Sequence, residues 1–80
     1  MSPASSIPLD HLRPGERGRI TELRGDDPLS QRLLEMGLLE GADIEVLRVA
    51  PLGDPLEVRL GDYQLSLRRS EAARVLVCRS

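Results

Sequence analysis

The chain is short and slightly acidic: it has 80 residues, 11 basic and 13 acidic side chains, and a net charge of −2. This length allows one domain with one core, and it leaves too little chain to enclose a deep substrate cavity as well. A general nucleic-acid binder is normally basic, and a single aromatic residue, Tyr63, provides neither a base-stacking platform nor an aromatic groove for proline-rich peptides. The composition therefore predicts a small globular domain with an aliphatic core and argues against nucleic acid as its partner.

The first eight residues, MSPASSIP, contain three serines and two prolines. We predict that residues 1–8 form a flexible N-terminal arm and that residues 9–80 form the domain. The arm has neither the basic nor the apolar segment of a signal peptide, and no apolar run approaches the roughly 18–20 residues of a membrane span. Cys78 is the only cysteine, so no intramolecular disulfide forms, and a reducing, cytoplasmic setting is compatible with the sequence.

The segment GDDPLSQRLLEMG carries the start and stop signals of one short helix. Asp27 suits the N-cap, and Pro28 suits the first helical position. At the other end, Gly37 suits the left-handed residue that ends a helix, and Leu38 would then pack back on Leu33. Apolar residues recur at i, i+4 and i+7 and predict one buried face, formed by Leu29, Leu33 and Met36.

Most of the remaining domain alternates apolar and polar residues with the period of two that is typical of strands. Gly61-Asp62 predicts a two-residue hairpin turn, and Ser70 is predicted to cap a single helical turn over residues 71–73. About five short strands, with one helix after the first of them, predict a small, mostly β barrel whose closure leaves no exposed sheet edges. The predicted strands are residues 17–24, 42–50, 56–60, 63–67 and 75–78.

Four groups of residues together carry a family resemblance. They are Arg32-Leu33; Met36-Gly37-Leu38 with Gly41; Gly53-Asp54-Pro55; and Leu67-Arg68-Arg69 with Glu71-Ala72. Each group alone is weakly specific, but their order along the chain is a strong signal. Over residues 9–78 the sequence resembles the FeoA family, small SH3-like β-barrels associated with bacterial ferrous iron uptake. The resemblance implies a small SH3-like barrel.

The resemblance also implies a cytoplasmic accessory or regulatory protein that is not an enzyme. On this interpretation the chain binds the cytoplasmic, GTPase-containing part of a FeoB-like membrane transporter of ferrous iron, and it meets the membrane only through that partner. The same domain also occurs at the C-terminus of metal-dependent repressors of the diphtheria-toxin-repressor type. A metal-binding or repressor-associated module is therefore the alternative, with nucleic-acid binding less favoured. No helix-turn-helix precedes the domain in this sequence, and we expect a free-standing monomer.

The sequence contains no catalytic or nucleotide-binding constellation. Hydrolysis by a nucleophile needs a base and an orienting group beside it, but Cys78 and the only histidine, His11, lie near opposite ends of the chain. The seven glycines form no GxxxxGKS/T phosphate loop, and the chain has no lysine. We therefore expect no catalytic residue and no cofactor, so that any GTP chemistry belongs to a partner.

Metal ligation is only weakly indicated. Asp26 and Asp27 precede the predicted helix, where capping accounts for both of them. Asp10 and His11 offer one carboxylate and one imidazole, and two ligands from one chain bind a transition metal weakly. A weakly bound divalent metal at Asp10 or His11 is therefore the candidate metal site of this sequence.

Two features of the sequence indicate where a partner binds. The segment RLLEMGLLEG has more leucines than its core face uses: Leu34 lies about 100° around the helix from Leu33, and Leu39 lies in a turn. We predict that Leu34 and Leu39 are exposed and that they converge with the loop residue Leu52 on one apolar patch suited to a partner. Arg68-Arg69 begins the basic concentration of the chain, which suits an acidic partner, a phosphate or nucleic acid, or else forms a solvated face of the barrel.

Overall fold

The computed structural model describes residues 6–79 and shows a six-stranded antiparallel sheet with little helix. The elements are β1 (Ser6–Pro8), a 3-10 turn (Leu9–His11), β2 (Arg17–Leu23), α1 (Pro28–Glu35), β3 (Asp43–Val49), β4 (Leu56–Leu60), β5 (Tyr63–Leu67), α2 (Arg69–Ala72) and β6 (Val75–Arg79). The strands lie in the order β1-β6-β2-β3-β4-β5 around one aliphatic core. The prediction of a small, mostly β SH3-like fold is confirmed, and the helix follows the first predicted strand as expected. The predicted closure without sheet edges is wrong for the described residues, because β1 and β5 stand at the two ends of the strand order and do not pair with each other.

The N-terminal arm predicted over residues 1–8 is wrong for residues 6–8, which form β1. Ser6 lies opposite Cys78 and Pro8 lies opposite Leu76 in an antiparallel ladder with β6. Ile7, between them, is half-buried and packs against the core. A three-residue strand is too short to show an alternating pattern, and its pairing depends on residues some 70 positions away, so local composition does not reveal it. Residues 1–5 lie outside the described part of the chain.

The C-terminal end of α1 is closed as the sequence predicts. Gly37 has φ of 102°, in the left-handed region that favours glycine. Its N–H donates to the Leu34 carbonyl at 3.0 Å, and the Leu38 N–H donates to the Leu33 carbonyl at 3.1 Å. These two bonds form the Schellman motif that satisfies the last carbonyls of a helix. Leu33 and Leu38 are both fully buried, so the turn places the two side chains together in the core.

The N-terminal end of α1 is tied to the start of β6 by charge. Asp27 is the N-cap, and its Oδ1 accepts the Ser30 N–H at 3.2 Å and a hydrogen bond from Arg74. Ser30, which is buried, donates its hydroxyl to the Arg24 carbonyl at 2.6 Å. The hydrogen bond from Arg74 and that from the Ser30 N–H lower the pKa of Asp27 from 3.8 to about 2. The capping interpretation of this aspartate is therefore confirmed.

The short helix α2 begins earlier than the sequence predicts. Ser70 was expected to cap a turn over residues 71–73, but the helix spans Arg69–Ala72 and its cap position is Arg68. The Glu71 carboxylate reaches back and accepts the Arg68 N–H at 2.7 Å. This acceptor satisfies an N–H at the start of the helix, which is the role that a cap side chain would otherwise have.

The β4–β5 hairpin carries the clearest alternation of the sheet. Leu56, Val58 and Leu60 on β4 point into the core, and the prediction for this strand is confirmed. Leu56 faces Leu67 across the hairpin, and Leu60 faces Tyr63 next to the turn. Antiparallel strands rise about 3.4 Å per residue, so these two pairs are separated by about 14 Å along the hairpin. Surface residues near Leu56 and those near Tyr63 therefore lie at opposite ends of the hairpin.

Replacement of Gly37 by alanine is expected to destabilise the fold by roughly 2–5 kcal/mol. About 1–2 kcal/mol comes from forcing a residue with a Cβ into the left-handed region, and the rest comes from overlap of that Cβ with the Tyr63 hydroxyl and the Leu60 side chain. Gly41→Ala is the matched control, because Gly41 has φ of 91° and open space around its Cβ position. Urea unfolding of both variants measures the difference, and equal losses would contradict the overlap.

Replacement of Asp27 by asparagine is expected to remove a pH-dependent part of the stability. Because the folded-state pKa of Asp27 lies below its ordinary value, the carboxylate stabilises the fold above about pH 4, and this contribution disappears as the pH falls through about 2. The wild type should therefore exceed Asp27→Asn in free energy of unfolding at pH 7, and the gap should close between pH 4 and pH 2. Asp26→Asn is the control, since Asp26 forms no ion pair within residues 6–79. A gap that persists unchanged at pH 2 would refute this explanation.

Candidate partner-binding surfaces

Asp10 and His11, the predicted metal candidates, differ in their surroundings. The Asp10 side chain is only 14% exposed, and its Oδ2 accepts a hydrogen bond from Arg69 Nη1 at 3.4 Å. The His11 side chain is exposed. Within residues 6–79, no three metal-ligating side chains come together. The neighbouring guanidinium also disfavours a cation at Asp10, so a weak divalent metal at these residues stays a prediction that rests mainly on His11.

A shallow groove of about 470 Å³ lies where β2, β3 and the β4–β5 turn meet. Most of its charged side chains are paired: Arg19 forms an ion pair with Asp43 at 3.3 Å, and Arg59 forms one with Glu45 at 3.6 Å, whereas Arg17 forms none within residues 6–79. The lining contains no serine, cysteine or histidine that could act as a nucleophile or base. Exposed ion pairs of this kind contribute little to stability.

One group of exposed apolar side chains surrounds the C-terminal end of α1. Leu34 is 39% exposed and Leu39 is 51% exposed, so the prediction that both face solvent is confirmed. Tyr63 is 47% exposed, and its hydroxyl donates to the Met36 carbonyl, which brings the start of β5 against this end of the helix. We call Leu34, Leu39 and Tyr63 the helix-end surface. Tyr63 could not be assigned to this surface from the sequence, because only the fold brings β5 to the helix.

A second exposed group lies at the other end of the β4–β5 hairpin. Leu52, in the β3–β4 loop, is 95% exposed. Asp54 of the same loop accepts the Arg69 N–H at 3.0 Å, which brings the loop next to Arg68 and Arg69 at the start of α2. We call Leu52, Arg68 and Arg69 the loop surface. All five residues predicted for partner binding therefore belong to one of two exposed surfaces.

The predicted convergence of Leu34, Leu39 and Leu52 on one patch is wrong. The helix-end surface adjoins Tyr63, at the turn of the β4–β5 hairpin. Leu52 lies beyond Leu56, at the opposite end of the same hairpin, so about 14 Å of strand separates the two surfaces. Leucine content alone does not reveal this, because the separation is set by strand register.

The fold defines a small SH3-like barrel domain that offers exposed surfaces rather than an enclosed site. The chain belongs to the FeoA family, since the sequence profile of the FeoA domain matches residues 7–79. The solved FeoA-like protein of Clostridium acetobutylicum superimposes with a TM-score of 0.86 at 31% identity, over 96% of this chain and 87% of that one. The zinc complex of Stenotrophomonas maltophilia FeoA, described as an SH3 domain protein, gives a TM-score of 0.75 at 30% identity, over 86% of each chain.

A curated relative links this domain to a transporter. Over 69 residues, 86% of this chain, the sequence is 41% identical to a Porphyromonas gingivalis protein described as an Fe(2+) transport protein A/Fe(2+) transporter FeoB fusion protein. The match covers 8% of that relative, so this chain corresponds to a small part of it. In the part of the chain that the structure describes, no helix is long and apolar enough to cross a membrane.

Proposed function

We propose that the protein is a non-enzymatic, cytoplasmic accessory protein of ferrous iron uptake that binds the cytoplasmic, GTPase-containing part of a FeoB-like membrane transporter. The fusion relative is the observation that carries the proposal, because it joins this domain and the transporter in one polypeptide. Such a tether raises the effective concentration of each part near the other. A fused arrangement is consistent with an interaction that separate chains form by binding.

The helix-end surface is the proposed contact. It presents two leucines and a tyrosine, and interface centres are formed by such apolar side chains inside a polar rim. Exposed Glu35 and Glu40 supply part of that rim. The Schellman motif and the Tyr63 hydrogen bond fix the backbone beneath the three side chains. A surface that is already ordered loses less entropy when it binds.

A titration against the purified cytoplasmic region of the FeoB-like transporter tests the proposal. The double variant Leu34→Ala/Leu39→Ala is expected to weaken binding at least about tenfold, the scale on which interface centres respond to truncation. Gln31→Ala, an exposed change on the same helix, is the matched control and should change the affinity less than about twofold. Because about half of each leucine is exposed, the double variant should lose only part of its stability and stay folded at the temperature of the titration.

Two results would contradict the proposal at different levels. Absence of binding by the wild type, together with normal ferrous iron uptake in a deletion strain, would reject the accessory function itself. Wild-type binding that the double leucine variant leaves unchanged would instead reject the helix-end surface as the contact and keep the function.

A further inference from the structure

The β3–β4 loop holds an apolar side chain away from the protein. Leu52 is 95% exposed, far more than Leu34 or Leu39. Single exposed leucines are ordinary on protein surfaces, so exposure alone does not indicate a binding site. Leu52 differs because several hydrogen bonds fix the backbone on either side of it.

The loop is closed by its own backbone. The Gly53 N–H donates to the Ala50 carbonyl at 2.7 Å, and the Ala50 N–H donates to the Pro55 carbonyl at 3.0 Å. These bonds bring the two sides of the loop together around Leu52. A leucine at the tip of an unconstrained loop would sample many positions, whereas here the backbone at its base is held.

Arg69 ties the closed loop to the rest of the barrel. Its Nε donates to the Gly53 carbonyl at 3.2 Å, and its backbone N–H donates to the Asp54 carboxylate at 3.0 Å. Its Nη1 donates to Asp10 at 3.4 Å, and the Asp10 side chain is 14% exposed. One residue therefore joins the loop, the 3-10 turn and α2, and the planar guanidinium makes its two side-chain bonds in fixed directions.

The Leu52 side chain itself adds nothing to the core, because it is 95% exposed. Ordering a loop costs conformational entropy, and a residue that is presented in a fixed position binds a partner with less of that cost remaining. We infer that Leu52 is a second contact residue for the transporter and that Arg69 is a positioning residue that holds the loop for this contact. The inference rests on the proposed function and adds a second surface to it.

The charge beside Leu52 indicates the chemistry of the complementary site. Arg68 is exposed and forms no ion pair with any residue between 6 and 79. Arg69, by contrast, is already bonded to Asp10 and to the loop. The occupant is therefore an apolar pocket of the transporter's cytoplasmic part with a carboxylate at its edge, which would pair with Arg68.

A double-mutant cycle tests the positioning role. Leu52→Ala, Arg69→Ala and their combination are titrated with the purified cytoplasmic region of the FeoB-like transporter. Each single change should lower the affinity for the transporter by about fivefold or more. The double variant should bind with the same affinity as Leu52→Ala, because Arg69 acts through Leu52. Arg69→Lys should bind about as weakly as Arg69→Ala, since an ammonium cannot reproduce the two directed side-chain bonds of the guanidinium.

A change on the helix-end surface serves as a control, because its effect on binding should be independent of changes on the loop surface. About 14 Å of strand separates it from the loop surface, and effects at well-separated sites combine independently. The fold-changes of Leu34→Ala and Leu52→Ala should therefore multiply in the double variant. Thermal unfolding of every variant confirms that the measured losses come from folded protein.

A measurement on the free protein tests the positioning role without the transporter. In ¹⁵N relaxation, the amides of Leu52 and Gly53 should have order parameters near 0.85 in the wild type and below about 0.6 in Arg69→Ala. The Leu52→Ala variant should keep the wild-type values, because the loop bonds involve no atom of its side chain. Unchanged order parameters in Arg69→Ala would overturn the positioning role.

The remaining outcomes separate this inference from the proposed function. Wild-type protein that fails to bind would reject the proposed function and the transporter contact with it. Wild-type binding that Leu52→Ala leaves intact would overturn the second contact alone. Multiplying losses for Leu52→Ala and Arg69→Ala would mean that Arg69 touches the partner directly. Anionic phospholipid vesicles test the choice of partner for Leu52. If the wild type binds these vesicles, and if Leu52→Ala loses vesicle binding but keeps transporter binding, the transporter is not the partner of Leu52.

Discussion

The closure of α1 by Gly37 organises the surface as well as the core. The left-handed turn returns the chain so that Leu33 and Leu38 meet inside the barrel. The same turn leaves Leu34 and Leu39, each the next residue along, facing outward. A single change of backbone direction therefore divides adjacent leucines between folding and binding. Tyr63 completes the arrangement, because its hydroxyl fixes the Met36 carbonyl in the last turn of the helix.

At the end of the barrel opposite the helix-end surface, two arginines hold separate segments together. Arg74 joins the N-cap of α1 to the start of β6, and Arg69 joins the β3–β4 loop to the 3-10 turn. Both arginines connect segments that are far apart in sequence, and both use directed hydrogen bonds rather than diffuse attraction. Exposed ion pairs alone contribute little, so these pairs depend on directed guanidinium hydrogen bonds as well as on charge.

Local chemistry predicted most of the fold. Period-two alternation located five strands, and the Asp27 and Gly37 signals bounded the helix, because the energies involved lie within a few residues. The wrong predictions concern elements whose position depends on an interaction that the local pattern does not show. Strand β1 depends on pairing with β6, and the start of α2 depends on Glu71 reaching back to Arg68. For the surface residues, the exposure of Leu34 followed from helix geometry and that of Leu39 from its place in a turn, but the separation of Leu52 followed only from strand register.

The strand register also links both terminal strands to the helix-end surface. Across the sheet, Arg79 faces Gly18, Gly18 faces Ile44, Ile44 faces Leu60, and Leu60 faces Tyr63. Ser6 lies beside Cys78 on the neighbouring strand. Residues in β1 and β6 therefore lie within one residue of the row of backbone pairs that ends at Tyr63. One continuous row of paired strands thus joins them to the residue that fixes the end of α1.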